Sequence, residues 1–393
     1  MINRVFKIFM ILLMINVFFA GICFGTEEVI ANKKADYIVS KAKIIEVIET
    51  KDVTTGDLTD KVQVVKIRFT EGVYKNEERE ATYTLSYDID NKLLAYELEK
   101  GNSVMVQITE KEDGSITCVI EDVVRQNYII LMIAVFFISV IAIGGRRGGK
   151  AILGLIATIL AVYFILIKSI FAGYSPILMS VVTSAVVIIL TFLIIGGINK
   201  KVITAALGTL GGVVSSGLVA LIFNNLAKLS GICEDAIQLT INMQEVVFNF
   251  REILLAGIVV SALGACMDVG MSIASSLDEI KIKNPEITWK ELLKSGMNIG
   301  RDVIGTMTNT LILAYVGGSI TLILLFMACN ISFVDIINKE TIAQEIISAI
   351  AGSMGVVYTV PITSVVYSIL NKDKTIYRTV SENKVNGKRS LKI

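Results

Sequence analysis

The sequence has no histidine, three prolines and one tryptophan, and charged residues make up only 19% of its 393 residues. The lack of histidine excludes catalysis by a histidine base and zinc sites with histidine ligands. The five cysteines form no CxxC pair, and no glycine-rich nucleotide loop is present. We therefore expect no cofactor and no ATP-driven pump, and we do not expect an enzyme.

Apolar residues dominate what remains. They make up 53% of the chain and its mean hydropathy is +0.68, which is more apolar than an average soluble domain. Residues 26–126 are polar and mixed, whereas most of residues 127–370 are apolar. The net charge of +1 gives no reason to expect a nucleic-acid partner. The composition predicts an α-helical polytopic membrane protein with a small polar N-terminal domain, whose first partner is the lipid bilayer.

Residues 1–25 have the parts of a secretory signal peptide. Arg4 and Lys7 precede the apolar run "IFMILLMINVFFAGI", and "CFG" offers small residues for a cut after Gly25. An uncleaved N-terminal anchor helix is the alternative. Both interpretations place the chain from Thr26 onward outside the cell.

Residues 26–125 have the alternation of apolar and polar residues that is typical of strands. The segments are "AKIIEVIE", "KVQVVKIRFTEG", "EATYTLSY", "NSVMVQITE" and "GSITCVIEDVV". Turn sequences such as "TTGD" and "KEDG" separate them. About five short strands predict a small extracytoplasmic β-rich domain, a barrel or sandwich that is OB-like. We expect it to serve as an adhesion or capping module more readily than as a ligand site.

Residues 126–370 form the predicted transmembrane domain. Seven apolar segments are each long enough to cross about 30 Å of hydrocarbon. They are residues 127–144, 151–172, 177–197, 202–227, 253–277, 303–329 and 342–370.

The basic residues predict the orientation of these helices. The predicted inner segments, including the basic tail at residues 371–393, carry 17 Lys and Arg, and the predicted outer loops carry three. Basic loops stay on the cytoplasmic side. The protein is therefore expected in the cell membrane with its N-terminal domain outside and its C-terminus in the cytoplasm.

The fifth segment contains an acidic residue, Asp268, within "ALGACMDVGMSIASSL". At 100° per residue, Gly257, Ser261, Gly264 and Asp268 lie on one face of a helix. A charged side chain that faces lipid costs several kcal/mol. We therefore expect Asp268 to face protein or a water-filled cavity.

The sixth and seventh segments repeat this arrangement. Asp302, Thr306 and Asn309 share one face of the sixth, and Thr359 belongs to a small-residue face of the seventh, where Pro361 is expected to break the helix. The simplest geometry has the three faces meet. The predicted intramembrane polar site comprises Asp268, Asp302, Asn309, Thr306, Ser261 and Thr359, and the predicted helix-packing glycines are Gly257, Gly264, Gly352 and Gly355.

Two of these segments carry a family resemblance. "GACMDVGMSIASSLDEI" and "NIGRDVIGTMTNTLILAYVGGSI" resemble the signature of the YibE/F-like membrane proteins, and "KIRFTEGVYKNEE" and "GRRGGKAILGL" agree with the rest of that pattern. The resemblance spans nearly the whole chain. It implies a multi-pass membrane protein of bacteria, and it implies no substrate.

Three function classes follow from the sequence. A secondary transporter or permease for an ion or small solute accounts for the polar faces and the absence of nucleotide machinery. A membrane accessory or sensor protein, whose outer β domain binds a partner, is the alternative, and a homo-oligomer or another membrane partner fits either. An intramembrane aspartyl protease that uses Asp268 and Asp302 is disfavoured because Arg301 would disturb a shared proton.

Overall fold

The computed structural model describes residues 37–55, 58–85, 96–110, 115–242, 247–329 and 331–372. The chain divides into two compact units, Met1–Ile143 and Gly144–Ile393. The predicted signal segment at residues 1–25 lies outside the described residues, as does the basic tail beyond residue 372.

The first unit contains a closed barrel of five strands. The strands are β1 (Tyr37–Thr55), β2 (Leu58–Phe69), β3 (Glu78–Leu85), β4 (Ser103–Glu110) and β5 (Ile116–Val123). Their order around the barrel is β1-β2-β3-β5-β4, and the barrel closes because β1 pairs with both β2 and β4. All pairs are antiparallel except β3 and β5, which are parallel where Thr82 faces Val119. The predicted strands and the predicted β domain are thus confirmed as a barrel.

The barrel closes through a bend in its longest strand. The first part of β1 pairs with β4 and the rest pairs with β2, with register shifts between Ile44 and Glu46 and between Val47 and Glu49. Such bulges bend a strand and increase its twist. The alternating apolar residues then point inward, and burial raises the pKa of the Cys118 thiol among them.

From Gln126 onward the described chain is mainly helical. They are α1 (Gln126–Ala161), a π-helical segment (Val162–Ile167), α2 (Lys168–Phe171), α3 (Pro176–Gly196), α4 (Lys200–Leu226), α5 (Glu234–Asn242), α6 (Phe250–Lys283), α7 (Trp289–Gly318), α8 (Ile320–Ala328), α9 (Phe333–Asn338) and α10 (Glu340–Leu370).

The predicted number of about seven spans stays a prediction. Among the described residues five helices are long and apolar enough to cross a membrane, or six if α7 and α8, bent by 53°, are one span. The predicted spans 127–144 and 151–172 lie in one helical run, Gln126–Phe171. Within the "GGRRGGK" sequence Gly145 leaves helical angles, with φ 53° and ψ −132°, so α1 consists of two helices that meet at a kink. Glycine reaches a positive φ without steric cost, so one residue suffices for the interruption.

Two other helices also differ from expectation. Pro361 lies inside α10, which continues through it, so the expected break is wrong. Because proline has no N–H, the Val357 carbonyl oxygen, four residues before it, loses its helical donor, yet the helix continues on both sides. The sixth span begins earlier than predicted. α7 starts at Trp289 behind a capping box of Thr288 and Glu291, well before the predicted span 303–329.

The central contact of the second unit is the antiparallel pair of α4 and α10. Every fourth residue of α4 is small or polar and buried, in the series Thr204, Gly208, Gly212, Ser216, Ala220 and Asn224. A buried series on α10 faces it, Ala351, Gly355, Thr359 and Thr363. Small residues at this spacing let two membrane helices approach closely.

The glycines show how close this approach is. A Cβ atom added at Gly212 would collide with Thr359 Oγ1 and lie 2.7 Å from the Gly355 carbonyl oxygen. One added at Gly208 would collide with Thr363 Oγ1 and lie 3.0 Å from the Thr363 Cα. Backbone atoms cannot rotate away, so these positions require glycine. α6 packs against both α4 and α10, α3 packs against α4 and α6, and α7 packs against α10 and α6.

The ends of the helices fall into two groups, which we call the basic end and the opposite end. At the basic end three lysines donate to carbonyls at the ends of helices or just beyond them. Lys150 Nζ donates to Ile195 O (3.0 Å), Lys200 Nζ to Leu370 O (2.9 Å), and Lys281 Nζ to Pro285 O (2.8 Å). A positive charge favours a helix C-terminus because the dipole is negative there.

The opposite end is joined by acidic residues. Ser175 Oγ donates to Glu252 Oε2 (2.5 Å), and the backbone N–H of Ser230 donates to Glu340 Oε1 (2.5 Å). The predicted inner loops of the second unit that the structure describes therefore lie together at one end, and the predicted outer loops lie together at the other. The alternation of the predicted spans within this unit agrees with this grouping.

We predict that Gly212→Ala lowers the free energy of unfolding by about 1–3 kcal/mol, the usual cost of adding a methyl group to a packed core. Gly257→Ala is the matched control, because the structure leaves open space around a Cβ at that position. The control should be neutral or slightly stabilising, since alanine favours a helix over glycine. Unfolding of the purified protein in mixed micelles with increasing SDS measures both values, and equal destabilisation of the two variants would contradict the α4–α10 contact.

Candidate intramembrane polar site

Asp268 lies near the middle of α6, and its side chain is exposed. Among the described residues it has no hydrogen-bond or ion-pair partner. Cys266 and Val269 beside it are buried in the core of the bundle. The helix therefore presents its carboxylate on the edge of the bundle and its apolar residues to the interior.

A residue on the face of α6 that carries Asp268 contacts α7. Ser261 shares this face, and its Oγ lies 2.8 Å from the hydroxyl of Tyr315 on α7. A Cβ added at Gly296, near the start of α7, would lie 3.1 Å from Leu277 Cδ1 near the end of α6. These two contacts show that the helices run antiparallel. Asp268 lies two turns from Ser261 on the same side of α6, about 10 Å toward the basic end.

On α7, Thr308 lies two turns before Tyr315, toward the basic end. Because the two helices are antiparallel, Thr308 lies at about the depth of Asp268, on the side of α7 that carries Tyr315. The Thr308 hydroxyl is buried and has no hydrogen-bond partner among the described residues. We call Ser261, Asp268, Thr308 and Tyr315 the α6–α7 polar edge.

The structure does not bring Asp302, Thr306 and Asn309 to this edge. All three are exposed, and they lie on the face of α7 that points away from the bundle. The opposite face of α7 makes the contacts, with Gly300 against Val360 of α10 and with Ile304, Met307 and Leu311 against the core. The expectation that Asp268 and Asn309 share one cavity therefore fails, because the helix rotation needed to bury the apolar side of α7 turns its polar side outward.

Thr359 has a different environment again. It is fully buried, and its hydroxyl donates to the Gly355 carbonyl oxygen at 2.8 Å. Its side chain fills the space left by Gly212 of α4. The hydroxyl is satisfied within its own helix, so Thr359 belongs to the helix contact and lies apart from Asp268.

The four predicted packing glycines differ in how closely other helices approach them. A Cβ added at Gly355 would lie 2.8 Å from Ser216 Cβ and 3.1 Å from the Gly212 carbonyl oxygen, so this glycine makes a close contact. Around Gly257, Gly264 and Gly352 a Cβ would meet no atom within 4 Å among the described residues. Gly257 and Gly264 are exposed on the same face as Ser261 and Asp268.

Several polar residues were missed by the sequence reasoning. Asn224 is fully buried near the opposite end of α4, and neither of its amide atoms has a partner among the described residues. Tyr367 is buried near the basic end, where its hydroxyl donates to Asp278 Oδ1 at 2.9 Å. Asn224 continues the four-residue repeat of Gly208, Gly212 and Ser216, so extending that repeat would have found it. Tyr315 and Thr308 are seven residues apart, the same spacing that separates Ser261 from Asp268.

Two further observations limit the chemistry of the site. Within the described ranges, no group of three or more His, Cys, Asp or Glu side chains could hold a metal ion. A cavity of about 120 Å³ lies between α3, α4 and α6, but its lining is hydrocarbon, from residues such as Ile177, Val213, Leu218 and Val259. It offers no polar group to a solute and does not include Asp268.

Apolar helices of membrane-spanning length and a bundle joined by small-residue contacts define a multi-span membrane protein. The chain belongs to the YibE/F-like family, whose model, described as YibE/F-like protein, matches residues 132–373, more than half of the chain. The match begins inside α1, so it includes the helical bundle and leaves out the barrel. No curated protein and no solved structure matches the chain.

The contact between Ser261 and Tyr315 can be tested by a double-mutant cycle with Ser261→Ala and Tyr315→Phe. We expect a coupling energy of about 0.6 kcal/mol, the average for polar contacts between membrane helices. The free energies of unfolding of the wild type, the two single variants and the double variant give this value. Strictly additive effects would show that the two hydroxyls do not meet, and the depth assigned to Thr308 relative to Asp268 would then lose its basis.

Proposed function

We propose that the chain is a secondary transporter or permease for an ion or a small solute, with the Asp268 carboxylate as its binding group, and that it is not an enzyme. The observation that carries the proposal is a carboxylate without a partner among the described residues, in the middle of an apolar helix. Such a group is costly in a membrane and is retained where it binds an ion, a proton or a solute.

The surroundings of Asp268 support a cation or proton as what binds. The α6–α7 polar edge offers the hydroxyls of Ser261, Thr308 and Tyr315 and no basic side chain. The Thr308 hydroxyl, at about the depth of Asp268, can take part in binding a cation. The hydroxyls of Ser261 and Tyr315, about 10 Å from Asp268, are too far to share a cation with it and can only belong to a proton relay. A bound cation or proton would also neutralise the carboxylate, which removes most of the cost of its position.

Two interruptions of helices favour transport over a passive structural role. α7 and α8 meet at Ser319 with a bend of 53°, one turn beyond Tyr315. The stretch Val162–Ile167 is π-helical. Discontinuous helices are a recurring feature of transporter binding sites, and π-helical turns are frequent at functional sites.

We further propose that the basic end of the bundle lies in the cytoplasm and the barrel outside, in the cell membrane of a bacterium. The excess of Lys and Arg in the loops of that end supports this orientation. Membrane-impermeant labelling of a cysteine placed at Lys200 tests it, since that cysteine should react only from the cytoplasmic side.

The barrel carries the alternative function, that of an accessory or sensor protein. We propose that it is OB-like, because its strand order β1-β2-β3-β5-β4, with β3 parallel to β5, is that of a five-stranded Greek-key barrel. It forms part of a compact unit separate from the bundle. If proteoliposomes with the wild-type protein move no ion, partner binding by the barrel becomes the better hypothesis.

We predict that Asp268→Asn abolishes ion-coupled flux while the protein still folds. The wild type and the variant are reconstituted in proteoliposomes that contain a pH-sensitive dye, and Na⁺ or K⁺ gradients are applied in turn. The wild type should move protons or the cation. The flux of the variant should be at least tenfold slower, because the neutral amide neither takes up and releases a proton nor balances the charge of a cation.

The matched control is Asp302→Asn, which removes the same charge from the face of α7 that points away from the bundle. Its flux should remain within about twofold of the wild-type rate. Full activity of Asp268→Asn, or equal loss in the two variants, would contradict the assignment of Asp268 as the binding group.

A further inference from the structure

The outward face of α7 has the spacing of a coiled-coil seam. Asp302, Thr306, Asn309, Leu313 and Val316 follow one another at intervals of four and three residues, which is the heptad repeat of two helices packed with a left-handed crossing. All five are exposed in the second unit, Leu313 to 59% and Val316 to 45%. We call these five residues the α7 seam.

The seam lies directly opposite the side by which α7 joins its own bundle. At 100° per residue, Gly300, Ile304, Met307 and Leu311 lie about half a turn from the seam. These four contact α10 or pack against the core. Burying the seam in the same bundle would expose this apolar side, so the seam needs another surface.

Lipid is a poor partner for this face. The carboxylate of Asp302 and the amide of Asn309 would lose their hydrogen bonds to water without replacement in hydrocarbon, which costs several kcal/mol. The Thr306 hydroxyl differs, since it donates to the Val303 carbonyl oxygen at 3.1 Å. Asp302 and Asn309 are therefore the two groups that require a polar partner.

We propose that the α7 seam packs against the α7 seam of a second copy of this chain, in a parallel pair about a two-fold axis normal to the membrane. A two-fold axis places each residue of the seam next to its own counterpart. An asparagine suits this position because its amide both donates and accepts, so two Asn309 side chains satisfy one another. The two leucines and two valines toward the opposite end supply apolar contact.

The charges at the basic end are complementary across the same axis. Arg301 and Asp302 are adjacent and both exposed, and the Arg301 guanidinium makes a contact only with Asn298 Oδ1, at 3.4 Å, within the described residues. In the pair, Arg301 of one copy can reach Asp302 of the other and offset the repulsion between the two carboxylates. Gly305 flanks the seam with open space around it, which permits close approach of the helices.

The part of α1 that precedes Gly145 is a weaker candidate than a second copy as the partner of the α7 seam. Between Ile129 and Ile143 its one polar side chain is Ser139, and that hydroxyl already donates to the Val135 carbonyl oxygen at 2.8 Å. It offers Asp302 and Asn309 no partner. A second copy offers a polar partner to both Asp302 and Asn309.

The proposal is tested by cysteine cross-linking of the full-length chain in native membranes. In a background in which the native cysteines are replaced by serine, Asn309→Cys and Leu313→Cys are introduced one at a time and oxidised with copper phenanthroline. Each should give a disulfide-linked species of twice the monomer mass. Ile304→Cys and Met307→Cys, on the side of α7 that packs against the core, are the controls and should remain monomeric.

Absence of the doubled mass at both seam positions overturns the proposal, and so does equal cross-linking on the two sides of the helix. A second measurement uses the reconstituted protein at increasing lipid dilution. Asn309→Ala should weaken the dimer roughly threefold to tenfold, the effect expected from polar contacts between membrane helices, and an unchanged dimer fraction contradicts the role of the amide.

This inference does not depend on the proposed transport activity. Asp268→Asn should leave the dimer fraction unchanged, because Asp268 lies on α6 and outside the seam. If the protein moves ions as a monomer, only the proposed contact between two α7 seams is contradicted. A dimer in which flux is independent of Asp268 would contradict the proposed function alone.

Discussion

The close antiparallel contact between α4 and α10 is the constraint on which the rest of the helical unit depends. Its glycines allow the two backbones to touch, and Thr359 and Thr363 occupy the space that the glycines leave. The threonine hydroxyls bond to carbonyls of their own helix, so the contact buries polar residues without leaving these groups unsatisfied. α6 and α7 then pack on this pair, and their rotation follows from which of their faces are small or apolar enough to fit.

This rotation distributes the polar residues over separate places. Thr359 is inside the α4–α10 contact, Asp268 lies at the α6–α7 edge, and Asp302 and Asn309 lie on the outward face of α7. Three surfaces with different chemistry can serve three roles, namely helix packing, ion or solute binding and association with a second copy. A single polar cavity that contained all of these side chains would combine those roles in one place.

The sequence predicts the classes of structure well and the mutual arrangement of the helices poorly. Period-two alternation identified the strands of the barrel because one side of each strand is buried, and apolar length identified the long helices. Helical periodicity correctly put Asp302, Thr306 and Asn309 on one face of α7, and Gly355 and Thr359 on one face of α10. It could not decide which neighbour each face meets, since that depends on contacts between residues far apart in sequence, such as Gly212 with Thr359. The continuity of α10 across Pro361 was missed because proline usually breaks a helix, and the packing of α10 against α4, α6 and α7 depends on contacts between residues far apart in sequence.

The most direct test of this account is the reaction of single cysteines at positions 268 and 309 with a hydrophilic methanethiosulfonate reagent in membranes. The proposed transport function predicts that the cysteine at position 268 reacts, because water and ions would have to reach the α6–α7 polar edge. The proposed dimer predicts that the cysteine at position 309 is protected by the second copy and reacts only when the dimer is dissociated. Equal reactivity at the two positions, or protection of position 268 with free reaction at position 309, would contradict the assignment of the two polar faces to different roles.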